Sequence, residues 1–526
     1  MKHFILALLL LLPFAAQAGV KELDSAPDMI VPLWPDGAPT DNGARGEEVD
    51  YGDHVTNVTV PELWVWLPDH CEGVAVMATP GGAYQDVWYM HEGYKWADWY
   101  NEQGIVYAVL KYRLPRGHKE VPLDDTQRAM HLLRENAPLW GNYTKVGVQG
   151  CSAGGHLAAM TSTHYTSAEN RPDFQILFYP VITLDPAYTH SGTLHNLLGE
   201  KPSKKLIEQY SNEKCVTADT PPAFILATTD DDVVPVRNSL EYYNALLAHG
   251  VSATMHIYPV GGHGWAWKES YPYHEQYKEE LRQWLRLNIL PRKRVLFIGD
   301  SITDGGWGNS GGDDRPSSQR SEWDKNHIFG HSYMMLCASQ YQSERPLDQM
   351  TFWNRGISGH TLQQLCDRWQ EDCLALRPNV VSILVGTNDV HFYLEQKAKA
   401  KEAGQEVKDF DVKAWEEQYR TLLRQTCDSL PGVRLVLCTP FVAKAGWVGE
   451  AANYYEREYL VKQLAEAVER LAHDFMATFV PFDQLFAQLR ENNPNGDNSY
   501  WIWDGIHPTP AGHRKMADLW IEKVKL

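Results

Sequence analysis

The sequence is poor in cysteine and has no excess of positive charge. The first argues against a zinc site, and the second against partners that are polyanions. Its 526 residues include eight cysteines, with no C-x-x-C pair and no Cys/His spacing suited to zinc. With 48 Lys and Arg against 67 Asp and Glu, the formal net charge at pH 7 is −19. Such an acidic surface repels polyphosphates, so we expect neither nucleic acid nor an anionic membrane surface as a partner. The oligomeric state and any disulfides stay open.

A long apolar run is missing everywhere except at the start of the chain. The segment "MKHFILALLLLLPFAAQAGV" has a basic residue near its start, a short apolar core and an A-x-A cleavage pattern ending at Ala18. The core is shorter than the roughly 20 residues that cross a bilayer, and its layout is typical of a secretory signal. We therefore predict a signal peptide over residues 1–18, no membrane insertion, and a secreted or periplasmic protein.

Short apolar strands alternate with amphipathic helices in the rest of the chain, which is the pattern of α/β folds. Strands are predicted in the first half at 73–80, 104–112, 146–150, 174–180, 223–228 and 253–259. In the second half they are predicted at 295–301, 350–359, 380–389, 433–440 and 477–482. The basic segment "PRKR" separates the two series. We predict two α/β domains, over 19–290 and 291–526.

A G-x-S-x-G motif, "GCSAG" at 150–154, follows a predicted strand. Such a strand-to-helix turn exposes the serine hydroxyl, and its glycines leave room for the tight turn. An acidic run, "TDDDVVP", and a histidine in "GGHGW" follow later strands. Acyl transfer needs a nucleophile, a base and an acid that orients the base, so we predict Ser152, His263 and Asp231 as a catalytic triad. Asp230 remains the alternative acid.

A glycine-rich loop, "PGGAY", follows another strand and is the expected source of oxyanion-binding N–H groups. We predict that the amides of Gly82, Ala83 and Ala153 form this oxyanion hole. With the motifs above, "LWPDGAP", "KYRLP" and "DDTQRA" make residues 30–290 similar to α/β-hydrolase esterases of the acetylxylan and feruloyl esterase type. The resemblance implies an α/β-hydrolase fold and serine esterase activity, for which the chemistry needs no metal or organic cofactor.

A second set of motifs lies in the other half: "GDSITDG", "NRGISGHT", "VGTNDV" and "DGIHPTPAGH", in that order. Together they resemble the blocks of the GDSL, or SGNH, hydrolases, which implies a flavodoxin-like parallel sheet. The resemblance assigns Ser301 as nucleophile, His507 as base and Asp504 as the acid that orients it. The Ser301 amide, the Gly359 amide and the Asn388 side chain are expected to hold the oxyanion.

Aromatic residues recur beside both sets of motifs, and flat rings with a polar edge suit the faces of sugars. The candidates for substrate contact are Tyr84, Trp88, Trp265, Trp307 and Trp503, although core packing is the more usual explanation for any one of them. With the resemblance, they favour an esterase that removes O-acetyl groups from plant polysaccharides such as acetylated xylan, with feruloyl removal at one of the two sites as the alternative. The two sites are then expected to divide the ester positions between them.

Three alternatives remain open from the sequence. A sialate or pectin O-acetylesterase would bind an anionic sugar through an arginine, for which Arg113 and Arg355 are the candidates. A lysophospholipase or thioesterase would need a long apolar groove. In the third alternative, one half is a glycan-binding module without turnover.

Overall fold

The computed structural model describes residues 26–310 and 313–526, which form two compact units. The first contains the described residues up to Asp69, with Ala75–Glu135 and Val146–His274; the second contains His70–Val74, Asn136–Lys145 and Glu275–Leu526. The predicted signal peptide lies outside the described residues, and the domain boundary at 290 and 291 stays a prediction. Within 26–310 and 313–526, no helix combines the length and apolarity needed to cross a membrane.

The first unit is built on an eight-stranded sheet. In spatial order its strands are Met29–Pro32, Glu62–Trp66, Ile105–Lys111, Val74–Thr79, Lys145–Cys151, Phe174–Phe178, Ala223–Thr228 and Ala253–Tyr258. The last four pair in parallel, whereas the first two run antiparallel to their neighbours. The central strands are buried along their length and consist mainly of apolar residues, as expected of strands covered on both faces.

The helices of this part of the chain are Tyr89–Glu92, Ala97–Asn101, Glu120–Trp140, Ser152–Thr163, Ser191–Leu198, Lys204–Tyr210, Arg237–Ala248 and His274–Trp284. A small antiparallel sheet joins Val49–Asp50, Val55–Thr56 and Asp86–Val87. Carboxyl ends of parallel strands meet at one edge of a sheet, and Ser152, Asp231 and His263 each follow such an end. The α/β-hydrolase fold predicted for this half is confirmed.

The second unit has a five-stranded parallel sheet with the spatial order Thr351–Gly356, Arg294–Gly299, Val380–Leu384, Arg434–Cys438 and Thr478–Val480. Numbered along the chain this is 2-1-3-4-5, the flavodoxin-like order that was predicted. Its helices are Ser301–Asp304, Tyr333–Glu344, Leu362–Asp372, Thr387–Glu402, Val412–Ser429, Gly446–Glu450, Tyr454–Asp474, Phe482–Glu491 and Pro510–Val524. Ser301 lies two residues after the end of the strand Arg294–Gly299, with Asp300 between them.

Candidate active sites

Ser152 occupies the sharp turn between a strand and a helix in the first unit. The strand Lys145–Cys151 ends just before it, and the helix Ser152–Thr163 begins with it. Its φ of +54° lies in the left-handed region, so the backbone is strained there. The flanking glycines are required. A Cβ added to Gly150 would lie 2.3 Å from a backbone oxygen, and a Cβ added to Gly154 would lie 2.0 Å from another. The turn has the form that the motif predicted.

A chain of hydrogen bonds links Ser152, His263 and Asp231. The Ser152 Oγ lies 2.8 Å from the His263 Nε2, and the His263 Nδ1 lies 2.7 Å from the Asp231 Oδ2. The other oxygen of Asp231 accepts the backbone N–H groups of Val233 and Val234, which fixes the acid within its own loop. The structure therefore brings together the three residues predicted as a triad.

Asp230, the alternative acid, lies elsewhere. Its two oxygens accept the N–H groups of Gly261 and Gly262 at 3.1 and 2.8 Å, and these bonds lower the pKa of its carboxyl. Both glycines directly precede His263 in the chain. Asp230 thus braces the loop that carries His263, whereas Asp231 contacts the imidazole itself.

The loop predicted to bind an oxyanion approaches Ser152 closely. A Cβ on Gly81 would lie 2.9 Å from the Ser152 Cβ, so only glycine fits at this position. Gly82 and Ala83 follow with φ of +124° and +55°. The Ala153 N–H lies in the first turn of a helix, where the dipole favours negative charge. That Gly82, Ala83 and Ala153 bind the oxyanion stays a prediction.

Sequence reasoning missed several polar side chains around this site: Glu92, Tyr179, His190 and Asn196. Glu92 accepts the Gly81 N–H at 2.6 Å, and the Asn196 amide donates to the Ala83 carbonyl at 2.8 Å, so both hold the glycine-rich loop. Burial lowers the pKa of His190. Of these, only Glu92 had a signal in the sequence, as an acid inside the largely aromatic and apolar segment "VWYMHEGYKW".

Two of the three aromatic candidates in this unit are corrected by their burial. Tyr84 is 1% exposed and Trp265 is 2% exposed, so both rings belong to the core and cannot lie against a sugar. Trp88 is half-buried and stacks on His54 with ring centroids 4.2 Å apart. His54 stacks in turn on Tyr51, which is 62% exposed. Substrate contact by Trp88 stays a prediction, and the structure places its ring as the inner layer of a stack that the sequence did not predict.

The second unit carries an equivalent set of residues. The Ser301 Oγ lies 2.8 Å from the His507 Nε2, and the His507 Nδ1 lies 2.6 Å from the Asp504 Oδ2. The other oxygen of Asp504 accepts the N–H groups of Ile506 and His507 at 2.9 and 2.7 Å. Ser301, Asp504 and His507 are therefore assembled as the motif spacing predicted.

Neighbouring carboxylates shift the titration of this imidazole. Burial by itself lowers the pKa of His507, but the hydrogen bond and charge of Asp504, together with the charge of Asp300, raise it above its ordinary value. Burial opposes ionisation of Asp504 as well, yet its bonds with His507 and the neighbouring amides lower its pKa. Burial raises the pKa of Asp300, which caps the Ser301 helix, to about 6.

A buried ion pair supports the predicted oxyanion loop of this unit. Asp304 and Arg320 are paired at 2.7 Å and their side chains are wholly inaccessible. Asp304 also accepts the N–H of Ser358 at 2.9 Å, and Ser358 directly precedes Gly359. The Asn388 amide donates to a backbone carbonyl at 3.2 Å. The oxyanion roles of Gly359 and Asn388 stay predictions.

A cavity of about 580 Å³ opens beside Ser301. It is lined by Ser301, Gly305, Gly306, Asn309, His327, His331, Ser358, Trp503 and His507. Trp503 is 58% exposed, as its predicted contact with substrate requires. Asn309, His327 and His331 were missed. The first two lie in the loop 305–327, which has no helical or strand periodicity, so the sequence predicted only that this loop lies near the site.

For Trp307, as for Tyr84, burial corrects the prediction that the ring contacts substrate. It is fully buried, donates its Nε1–H to the Gly356 carbonyl at 2.8 Å, and lies with the guanidinium groups of Arg320 and Arg355 each 5.0 Å from its ring. It is therefore a core residue and does not line the cavity.

Family models match both halves of the chain. The α/β hydrolase fold model covers residues 98–267, and the GDSL-like lipase/acylhydrolase model covers residues 297–515. Each match contains one of the serines described above and its base.

Relatives of known name match one half or nearly all of the chain. Over 490 residues the chain is 32% identical to an acetylxylan esterase of Xylanibacter ruminicola, which covers 88% of this chain and 93% of that protein. It is 28% identical over 247 residues to an acetylxylan esterase of Geobacillus stearothermophilus, with 44% of this chain and 94% of that protein covered. A solved acetyl ester-xyloside bifunctional hydrolase of Caldicellulosiruptor lactoaceticus is 33% identical, covers 49% of this chain and 96% of its own, and has a TM-score of 0.42.

Proposed function

Because the chain belongs to the family of the Xylanibacter ruminicola acetylxylan esterase and is an ester hydrolase, we propose that it removes O-acetyl groups from xylan-type polysaccharides. Each unit has its own catalytic site. The observation that carries the proposal is that each unit contains a serine, a histidine and an aspartate joined by hydrogen bonds of 2.6 to 2.8 Å. Secretion, which the N-terminal segment predicts, fits a polysaccharide substrate.

In each site the serine Oγ attacks the ester carbonyl while the histidine Nε2 takes the hydroxyl proton. The carbonyl oxygen becomes an oxyanion that backbone N–H groups of the neighbouring loop stabilise. The histidine then returns the proton to the sugar oxygen, which leaves as an alcohol. Water attacks the acyl-enzyme through the same base, releasing acetate and regenerating the serine.

The aspartates keep the imidazole oriented and stabilise the imidazolium that forms during attack. Asp231 and Asp504 suit this role because each uses one oxygen for the imidazole and the other for amides of its own loop. The second oxygen is thus fixed, and the carboxylate cannot turn away from the ring.

Two sites in one chain suit a substrate that carries acetyl groups on different hydroxyls, because one pocket rarely accepts every geometry. The surroundings of the two serines differ accordingly. Ser301 opens into a cavity lined by Asn309, His327 and His331. In the first unit the stack of Trp88, His54 and Tyr51 reaches the surface beside the glycine-rich loop. We therefore propose that the sites remove different acetyl groups.

Product NMR on acetylated xylo-oligosaccharides tests the proposal. We expect the intact protein to release acetate from all accessible positions, and Ser152→Ala and Ser301→Ala to leave complementary sets of acetyl groups. The double variant is the control for release without either serine. Identical residual positions in the two single variants would contradict the division of labour. If the intact protein released no acetate, the assignment of acetylated xylan as the substrate would be wrong.

The alternatives from the sequence find less support. Arg113 is held by Asp125 at 2.6 Å, and Arg355 is paired with Glu322 and lies 3.6 Å from Asp372, so neither guanidinium is left for an anionic sugar. Among the described residues that line the cavity at Ser301 there is no aliphatic side chain, which disfavours a long acyl chain. The lysophospholipase or thioesterase alternative is tested by comparing the hydrolysis rates of the acetyl and octanoyl esters of one chromogenic alcohol. The same acetyl ester, tested on each serine variant, detects a half without turnover.

A further inference from the structure

Glu92 is a buried carboxylate beside the nucleophile turn of the first unit. It ends the short helix Tyr89–Glu92 and is 4% exposed. One oxygen accepts the Gly81 N–H at 2.6 Å, and the other accepts the Tyr179 hydroxyl at 2.8 Å. A Cβ on Gly81 would lie 2.7 Å from this carboxylate, so the loop and the acid are in direct contact. Glu92 therefore fixes the residue that precedes the predicted oxyanion-binding amides.

Tyr179 extends the connection to the loop that carries the histidine. Its hydroxyl oxygen accepts the N–H of Ala266, three residues after His263, at 3.1 Å. Its ring lies against the His263 imidazole, with centroids 4.6 Å apart and an interplanar angle of 60°. Its φ of +35° is unusual for a side-chain-bearing residue, so the surrounding contacts must hold it in place. Glu92 and Tyr179 thus join the glycine-rich loop to the histidine loop.

This carboxylate is a costly group to keep in a protein interior. Burying a charge is unfavourable unless hydrogen bonds or an opposite charge compensate it. The His91 Nε2 lies 3.8 Å from Glu92, and burial lowers the pKa of His91, which disfavours its charged form. The bonds from Gly81 and Tyr179 are then the main compensation. An apolar side chain would fill the same space without this desolvation cost, so the acid points to a role beyond packing.

We propose that Glu92 is a positioning residue for the first site, which holds the oxyanion loop and His263 in a common geometry through Gly81 and Tyr179. This inference rests on the proposed function, because it assumes that Ser152 turns over esters. The carboxylate touches neither the substrate nor the reacting atoms. Its effect passes through the loop amides, whose placement matters most when the carbonyl oxygen becomes charged.

Graded substitutions in the full chain test this role. In a Ser301→Ala background only the first site reports, with 4-nitrophenyl acetate as substrate. Glu92→Gln keeps the volume and an oxygen for Gly81 but cannot accept the Tyr179 hydroxyl, whereas Glu92→Leu removes both acceptors. Losing one oxyanion donor outright costs about 100- to 1,000-fold in kcat, so we expect a smaller loss of about 10-fold for Gln and about 100-fold for Leu. KM should change by less than about twofold, because the interaction develops in the transition state.

A boronic acid provides a readout that a purely structural role would not change. Phenylboronic acid forms a tetrahedral adduct with a catalytic serine and places an oxygen where the oxyanion would lie. Its affinity should weaken by the same factor as kcat in Glu92→Gln and Glu92→Leu. Tyr179→Phe, which keeps the ring against His263 but loses the hydroxyl, should resemble Glu92→Gln.

The matched control is Asp125→Asn, another buried carboxylate of this unit, which pairs with Arg113 and accepts from Trp34. It should lower the thermal unfolding midpoint without changing kcat or boronate affinity. If the Glu92 and Tyr179 variants behaved in the same way, the positioning role would be wrong; Glu92→Gln and Tyr179→Phe keep the test open if Glu92→Leu does not fold. If the Ser301→Ala protein showed no esterase activity that a further Ser152→Ala substitution removes, the proposed function itself would be wrong, and this inference with it.

Discussion

The two units support their predicted oxyanion loops with a buried carboxylate, but they neutralise that carboxylate differently. In the first unit, Glu92 accepts from Gly81 and from the hydroxyl of Tyr179. In the second, Asp304 accepts from Ser358 and is paired with Arg320, with both side chains of the pair fully inaccessible. The first arrangement relies on neutral donors and the second on an opposite charge.

A buried anion can fix a loop at a free-energy cost that depends on its partner. Neutral donors can be lost singly, so one hydrogen bond to the carboxylate remains when the other is removed. An ion pair fails as a whole, because removal of the cation leaves an uncompensated charge in a low-dielectric interior. The second unit should therefore be more sensitive to substitution beneath its oxyanion loop than the first.

The triads share the chain order Ser, Asp, His and the same geometry, but they differ in the separation of the acid and the histidine. Asp231 lies 32 residues before His263 in a separate loop, whereas Asp504 lies 3 residues before His507 in the same loop. The acid–histidine distances are nevertheless 2.7 and 2.6 Å. Catalytic geometry is thus independent of sequence separation, as in unrelated families of serine hydrolases.

The largest expected effect tests this equivalence. Asp231→Asn and Asp504→Asn should each lower kcat of their own site by about 10,000-fold, because the amide stabilises the wrong tautomer of the histidine. Each is measured with the other site's serine changed to alanine. A loss smaller than about tenfold at either site would contradict the assignment of that acid.

Asp230→Asn is the matched control for the first unit. Its side chain holds the amides of Gly261 and Gly262 and does not contact the imidazole, so we expect no more than about a tenfold loss of kcat. A loss equal to that of Asp231→Asn would make Asp230 a second essential acid and contradict the distinction that the structure draws.

The second prediction concerns the ion pair. Arg320→Gln should lower the free energy of unfolding of the second unit by about 3 to 5 kcal/mol, because Asp304 would stay buried without its cation. Urea unfolding followed by circular dichroism measures this change. Arg315→Gln is the control: its pair with Asp313 is exposed, so its loss should cost less than about 1 kcal/mol. Equal destabilisation by both substitutions would contradict the argument from burial.

Both fold types and both triads could be predicted from sequence because they depend on local patterns. A buried strand followed by a glycine-rich turn has a clear signature, and Ser152 and Ser301 each follow one. Asp504 was assigned by the resemblance of its motif to the GDSL hydrolases, in which the acid lies three residues before the histidine. Asp231 was less certain, because three adjacent acids share the same local signal and only the tertiary contact with His263 separates them.

What the sequence could not predict depends on contacts between distant segments. The hydrogen bond from Tyr179 to Glu92 spans 87 residues, and no local pattern indicates it. Burial of aromatic residues has the same origin: Trp307 and Trp503 both lie near catalytic motifs, yet one is fully buried and the other is 58% exposed. Proximity to a motif along the chain does not establish which way a ring points.

The third prediction uses the shifted imidazole of the second unit. His507 must be neutral to accept the serine proton, and its pKa is raised above the ordinary 6.5, chiefly by Asp504 against the opposing effect of burial. In a Ser152→Ala background, kcat/KM should therefore fall on the acid side with a midpoint above 6.5. Asp504→Asn should move that midpoint to lower pH in the residual activity. A midpoint at or below the ordinary value in the Ser152→Ala protein would contradict the shift.

The smallest expected effect separates the two tryptophans. Trp503→Ala should raise KM for acetylated xylo-oligosaccharides by about fivefold in a Ser152→Ala background, since loss of one aromatic contact costs about 1 kcal/mol. Turnover of 4-nitrophenyl acetate should be unchanged, because that ester lacks a sugar ring to lie against Trp503. Trp307→Phe, the buried control, should reduce stability and leave KM for the oligosaccharide unchanged. An equal rise in KM for both variants would show that substrate contact cannot be inferred from exposure at this site.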